Sequence, residues 1–133
     1  MTAILRITTA HNEARLAGTL AQLDAGAGPA AIHVYGGSMP VSITDTPASA
    51  MLVEIELAEP AGTIAGGALT LSAAADGLIA NTGIATWARF VNGDGLVVMD
   101  ANCSGLDGDA PVKLLSTQLY AGGDARLASA VIG

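Results

Sequence analysis

With 133 residues, 51% of them apolar, the chain can bury one core without staples, and its single cysteine, Cys103, allows neither an internal disulfide nor a thiolate metal cluster. Charged residues make up only 13% of the chain, against roughly a quarter in ordinary soluble domains. Twelve acids outnumber five bases, and Arg6, Arg15, Arg89, Lys113 and Arg126 are scattered, which excludes nucleic acid as a partner and leaves a surface of small side chains that another protein can approach closely.

In chain order, residues 1–7 read as an N-terminal arm. They lack the apolar length and cleavage site of a signal peptide, so an unprocessed, intracellularly made protein is expected. Apolar, β-prone and outside the helix that follows, Met1, Ile4, Leu5 and Ile7 are candidate partner-binding residues of an arm that adds to a neighbour's sheet or lies across it. Residues 8–25 predict an amphipathic helix, with Leu16, Leu20 and Leu23 at i, i+4 and i+7 and Asn12, Glu13, Arg15, Gln22 and Asp24 mostly opposite. Thr8 or Thr9 serves as N-cap, and Gly26 with Pro29 closes the helix. Too short to hold alone in water, the helix has to dock on the rest of the chain or on a neighbour, so Leu16 and Leu20 join the candidates for partner contact.

Residues 30–133 change to a period of two, broken by Gly, Pro, Asn and Asp at short intervals. Residues 31–35 form an apolar strand. Residues 51–58 alternate, with Met51, Val53, Ile55 and Leu57 inward and Glu54 and Glu56 outward, and residues 68–73 repeat the pattern after a Gly66-Gly67 turn. Two runs, 84–91 and 96–101, flank Asn92-Gly93-Asp94-Gly95 as a β-hairpin. Residues 112–115 and 126–132 supply further strands. The expected fold is a single, mainly β domain of seven to nine strands, an antiparallel β-sandwich of jelly-roll type with one N-terminal α-helix; an immunoglobulin-like sandwich shares these strand lengths. The longest chargeless run, residues 25–44, is dense in Gly and Pro, which excludes a membrane-spanning helix.

Side chains that carry chemistry do not gather along the sequence. His11 and His33 lie at no metal-ligand spacing from a Cys, an Asp or each other. Asp94, Asp100, Asp107 and Asp109 fall where turns are expected; aligned to a calcium loop they would put Phe90 and Ala101 at its obligatory ligand positions, so a loop Ca²⁺ site is the minor alternative. Serines and Cys103 sit in no nucleophile elbow, and the glycine pairs match no phosphate-binding loop. We therefore expect no catalytic, cofactor-binding or metal residues and no enzyme activity. Trp87 is expected in the core, since four dispersed aromatics make no stacking platform; an exposed ring would instead point to a glycan-binding module.

The order of segments is itself informative. The polar helix ending in Leu23-Asp24-Ala25-Gly26-Ala27-Gly28-Pro29, the strand Ala31-Ile32-His33-Val34-Tyr35-Gly36-Gly37 followed by Met39-Pro40, and Met51-Leu52-Val53-Glu54-Ile55-Glu56-Leu57 look like small structural proteins of tailed bacteriophages. Ala85-Thr86-Trp87-Ala88-Arg89-Phe90 with Asn92-Gly93-Asp94-Gly95, Val98-Met99-Asp100 and Asp107-Gly108-Asp109 is similar to their later strands. Gly36-Gly37 departs from the family pattern, where an Asp-Gly turn is more usual. The resemblance implies a virion protein, made in the host cytoplasm and placed on the capsid surface. It would be a head cement or decoration protein that stabilises the head by bridging major capsid subunits. Its partners would be the major capsid protein and further copies of itself, as a homodimer or homotrimer, with no cofactor. A neck or tail-associated virion protein is the alternative, and a glycan-binding β-sandwich is a distinct class behind it.

Overall fold

The computed structural model describes residues 3–133. One helix, α1 (Thr9–Leu23), precedes eleven strands: β1 (Ala31–Tyr35), β2 (Val53–Ala65), β3 (Ala68–Ala73), β4 (Gly77–Leu78), β5 (Gly83–Ile84), β6 (Trp87–Val91), β7 (Val97–Ser104), β8 (Val112–Leu114), β9 (Gln118–Leu119), β10 (Asp124–Ala125) and β11 (Leu127–Ile132). Seven of them close into a barrel in the order β1-β2-β3-β11-β8-β7-β6, while β4 pairs with β10 and β5 with β9 outside it.

The chain is mainly β with one helix, as the change of period predicts, but the expected sandwich of two facing sheets is corrected to a closed barrel. Alternation along a strand is the same in both architectures, so the difference lies in how strands change partners. β2 makes the corner. Its first residues pair with β1 through Val53↔Val34 and Glu56↔Ala31, and its last pair with β3 through Gly62↔Leu71 and Ala65↔Ala68, with a register shift between Leu57 and Gly62. Gly62 lies against the Thr70 carbonyl, where a Cβ would overlap, so only glycine allows this close approach. A second shift bends β11 between Leu127 and Ser129.

One pairing is parallel where an antiparallel fold was expected. β7 meets β8 through Cys103↔Val112 and Ser104↔Lys113. Because the match covers so few residues, the connection through residues 105–111 has only to bring the chain back beside its own end. No long crossover is needed.

The hairpins follow from their turn residues. Gly66 and Gly67 take φ of +60° and +78°, the left-handed pair that a two-residue hairpin turn requires. At the β6–β7 turn the Asn92 side-chain oxygen accepts from the N–H groups of Asp94 and Leu96, each at 3.0 Å, and Gly95 takes φ +79°.

Inside the barrel, Ile32, Val34, Val53, Ile55, Leu57, Leu69, Ala88, Phe90, Val112 and Leu114 are fully enclosed. Each large aliphatic or aromatic side chain so buried contributes about 1.5–3 kcal/mol. The Thr8 hydroxyl caps α1 by accepting from the His11 N–H at 3.1 Å. The helix packs on β2, β3 and β7, with Leu16 and Leu23 buried and Leu20 partly buried against the barrel core. Polar side chains pin both of its ends. Asn12 Nδ2 donates to the Gly67 carbonyl and Glu13 Oε2 accepts from the Gly67 N–H, each at 3.0 Å, while Asp24 Oδ1 accepts from the Ala61 N–H at 2.9 Å.

Candidate functional site

Phe90 and Ala88 face the barrel interior, so strand geometry turns Trp87, Arg89 and Val91 to the outside. On that outer face a polar row crosses four strands: Glu54 on β2 opposite His33 on β1, His33 opposite Arg89 on β6, and Arg89 opposite Asp100 on β7. His33 Nε2 lies 2.7 Å from Glu54 Oε2. Arg89 Nε and Nη2 donate to the two carboxylate oxygens of Asp100 at 2.8 and 3.0 Å. This two-point fork is the strongest ion-pair geometry available to a carboxylate. The bond to Asp100 raises the Arg89 pKa above its already high ordinary value, so the guanidinium stays charged.

Residues 36–50 cross this face as an irregular strap, fastened by polar bonds. Arg89 Nη1 donates to the Asp45 carbonyl at 2.8 Å, Trp87 Nε1 to the Gly36 carbonyl at 3.3 Å and Thr86 Oγ1 to the Gly37 carbonyl at 2.6 Å. The Ser42 N–H donates to Asp45 Oδ2 at 3.1 Å and holds the strap's own tight turn. Tyr35 and Trp87 stack with ring centroids 4.6 Å apart, and the Arg89 guanidinium carbon lies 5.4 Å from the Trp87 ring centre. Burial pushes the Tyr35 hydroxyl pKa above its ordinary value.

Between the strap and the β6–β7 pair runs a cleft of about 540 Å³, lined by Ile43, Pro47, Val97 and Val98 with Asp45 and Arg89. Ile43 and Val97 keep 45% and 43% of their surface exposed, and Val41 and Leu96 are exposed as well. Arg89 is neutralised by Asp100, which leaves the Asp45 carboxylate as the cleft's net charge. Such a cleft suits an apolar segment that brings one positive charge.

The arm residues lie elsewhere. Ile4 is 75% and Leu5 87% exposed, with Ile7 exposed to a lesser degree, and Met1 lies outside the described residues. Leu16 and Leu20, also expected at a partner surface, are placed differently: the helix docks on its own barrel, so Leu16 belongs to the chain's core and Leu20 is partly covered. Trp87 is buried as expected, with 1% exposure, but under the strap and not in the barrel core. Burial pushes the Cys103 thiol up to about 11. Of the loop acids, Asp100 is held by Arg89 and Asp94 Oδ1 accepts from the Ala27 N–H at 3.4 Å. Among the described residues no group of three or more His, Cys, Asp or Glu is placed to hold a metal ion, and no helix is long and apolar enough to cross a membrane.

Sequence reasoning missed the strap, the Arg89–Asp100 pair and the cleft. A signal was present in Trp87-Ala88-Arg89-Phe90-Val91, whose Trp and Phe fall on opposite faces of one strand: large apolar rings on both faces mean burial on both. No family model, curated protein or solved structure matches the chain.

Proposed function

We propose that this chain is an adhesive structural module that works by shape-matched contact with other proteins and without catalysis. The observation that carries the reading is the exposed apolar arm, Ile4-Leu5 with Ile7, standing off a barrel that already buries its own core and helix. Apolar surface left in water is costly, so exposed clusters mark sites of contact. The low charge of 13% supports the same reading, because small uncharged side chains cost little to desolvate. Several of the groups from which catalysis would be built are otherwise engaged. Cys103 stays a neutral thiol at pH 7, His33 is bonded to Glu54, and Arg89 is held by Asp100 and the strap.

Within this class, the resemblance of the sequence to small proteins of tailed-phage virions favours a head cement or decoration protein that bridges major capsid subunits, acting as a homodimer or homotrimer. Repetition over a shell turns many modest contacts into tight overall binding. Electron microscopy of the parent particle is expected to show density of this size repeated over the head. Density confined to the neck or tail would move the protein to the alternative virion position, and its absence from the particle would remove the virion reading. The glycan-binding alternative loses its main support, since the Trp87 ring lies under the strap.

A further inference from the structure

Building on the adhesive reading above, we propose that the N-terminal arm of one copy docks in the strap cleft of a second copy. The two surfaces match in chemistry. The cleft offers Ile43, Pro47, Val97 and Val98 around Asp45, whose carboxylate accepts from the Ser42 N–H and leaves the cleft one net negative charge beside the Arg89–Asp100 pair. The arm offers Ile4, Leu5 and Ile7 around one cation, Arg6, which has no carboxylate partner among the described residues. Apolar contacts supply the driving force, and the Arg6–Asp45 attraction fixes direction and register.

Geometry favours a second copy over the arm's own cleft. The arm leaves α1 at the end pinned to Gly67, whereas the β6–β7 turn, which leads directly into Val97, packs at the other end, where the Gly93 N–H donates to the Ala25 carbonyl at 3.1 Å. The fifteen residues of α1 separate these ends by about 22 Å. Residues 3–7, fully extended, span at most about 17 Å. Folding back would ask the arm to reach farther than it extends; a neighbour removes that constraint. Reciprocal exchange gives a two-fold dimer with two arm contacts, and head-to-tail exchange closes a ring such as a trimer.

The full chain is tested by sedimentation velocity over a concentration series, as wild type, Leu5→Asp, Ile43→Asp and an equimolar mixture of the two variants. Both substitutions replace exposed side chains, and far-UV circular dichroism with Trp87 fluorescence verifies that each variant is folded. Wild type is expected to self-associate, and each variant alone to do so about tenfold more weakly or worse. The mixture is expected to recover part of the association, because the intact arm of Ile43→Asp meets the intact cleft of Leu5→Asp. Arg6→Glu is expected to weaken association a few-fold, with the difference from wild type shrinking as salt is raised.

A wild type that stays monomeric at about 1 mM overturns the docking, as do variants that associate like wild type or a mixture that recovers nothing. The two proposals fail separately. A monomer that still decorates phage heads overturns the docking and leaves the adhesive reading; a chain that self-associates through the arm yet ignores heads overturns the cement assignment and supports the docking.

Discussion

The barrel interior and the face beneath the strap are both buried, but different forces hold them. Inside, Ile32, Ile55, Leu57, Leu69, Phe90 and Leu114 pack in one apolar cluster, and their burial is non-directional. Under the strap, Trp87 and Tyr35 stack beside a charged Arg89 that is held by Asp100 and whose bond to the Asp45 carbonyl helps fasten residues 36–50 in place. The interior decides whether the chain folds; the outer face decides what surface the folded chain presents, because one wall of the cleft is the strap itself.

The largest expected effect is on the interior. Phe90→Ala should remove about 3–5 kcal/mol of unfolding free energy, read from urea or thermal denaturation, because the closed barrel cannot collapse around the cavity. Arg89→Met should cost about 3 kcal/mol, since it strands the buried Asp100 carboxylate. Unlike Phe90→Ala, it should also free the strap, seen as a red shift and easier quenching of Trp87, the chain's single tryptophan. Arg89→Met with Asp100→Leu should regain much of the stability but not the strap's position, because the bond to the Asp45 carbonyl stays lost. If Arg89→Met leaves Trp87 fluorescence unchanged, the Trp87 and Thr86 bonds to Gly36 and Gly37 hold the strap without Arg89.

Alkaline pH compares the two regions in one titration. The Cys103 thiol in the barrel wall is raised from 9.0 to about 11, so the folded chain keeps its proton where the unfolded chain has lost it. Stability from this group is therefore intact below pH 9 and falls as pH rises from 9 through about 11, by on the order of 2–3 kcal/mol. Tyr35, raised by burial under the strap, acts with the same sign at higher pH. Cys103→Ala should flatten the first part of this slope. Thr8→Ala should cost about 1 kcal/mol through loss of the helix cap. The smallest effect is expected at Leu5→Asp, within about 0.5 kcal/mol, because the side chain stands in water.

The same contrast separates what the sequence reveals from what it hides. Helix α1 and strands β1 and β3 lie where the period places them, because a docked helix and a strand with one buried face write their spacing directly into the residues. β2 runs on through Pro60 and Gly62 to Ala65, past breakers that read as an end, because its bulge uses them to turn the barrel's corner. The expected strand over residues 84–91 splits at Ala85-Thr86, where the chain leaves β9 and takes β1 and β7 as partners. Partner exchange leaves no trace in alternation. Arg89 falls on the outward parity, which normally means solvent, and the composition of residues 36–50 says loop without saying what the loop covers. The sequence marks Ile4, Leu5 and Ile7 as candidates because they are apolar and lie outside the helix, and the structure leaves them exposed, whereas the helix stripe finds its cover within the chain.

The proposed cement role is tested most directly by binding of the purified chain to heads of the parent phage prepared without it, with wild type and Leu5→Asp compared at equal fold content. Adhesion through the arm predicts saturable binding by wild type and at least a tenfold loss in Leu5→Asp at unchanged stability. Equal binding by the two proteins, or none by wild type, would contradict it.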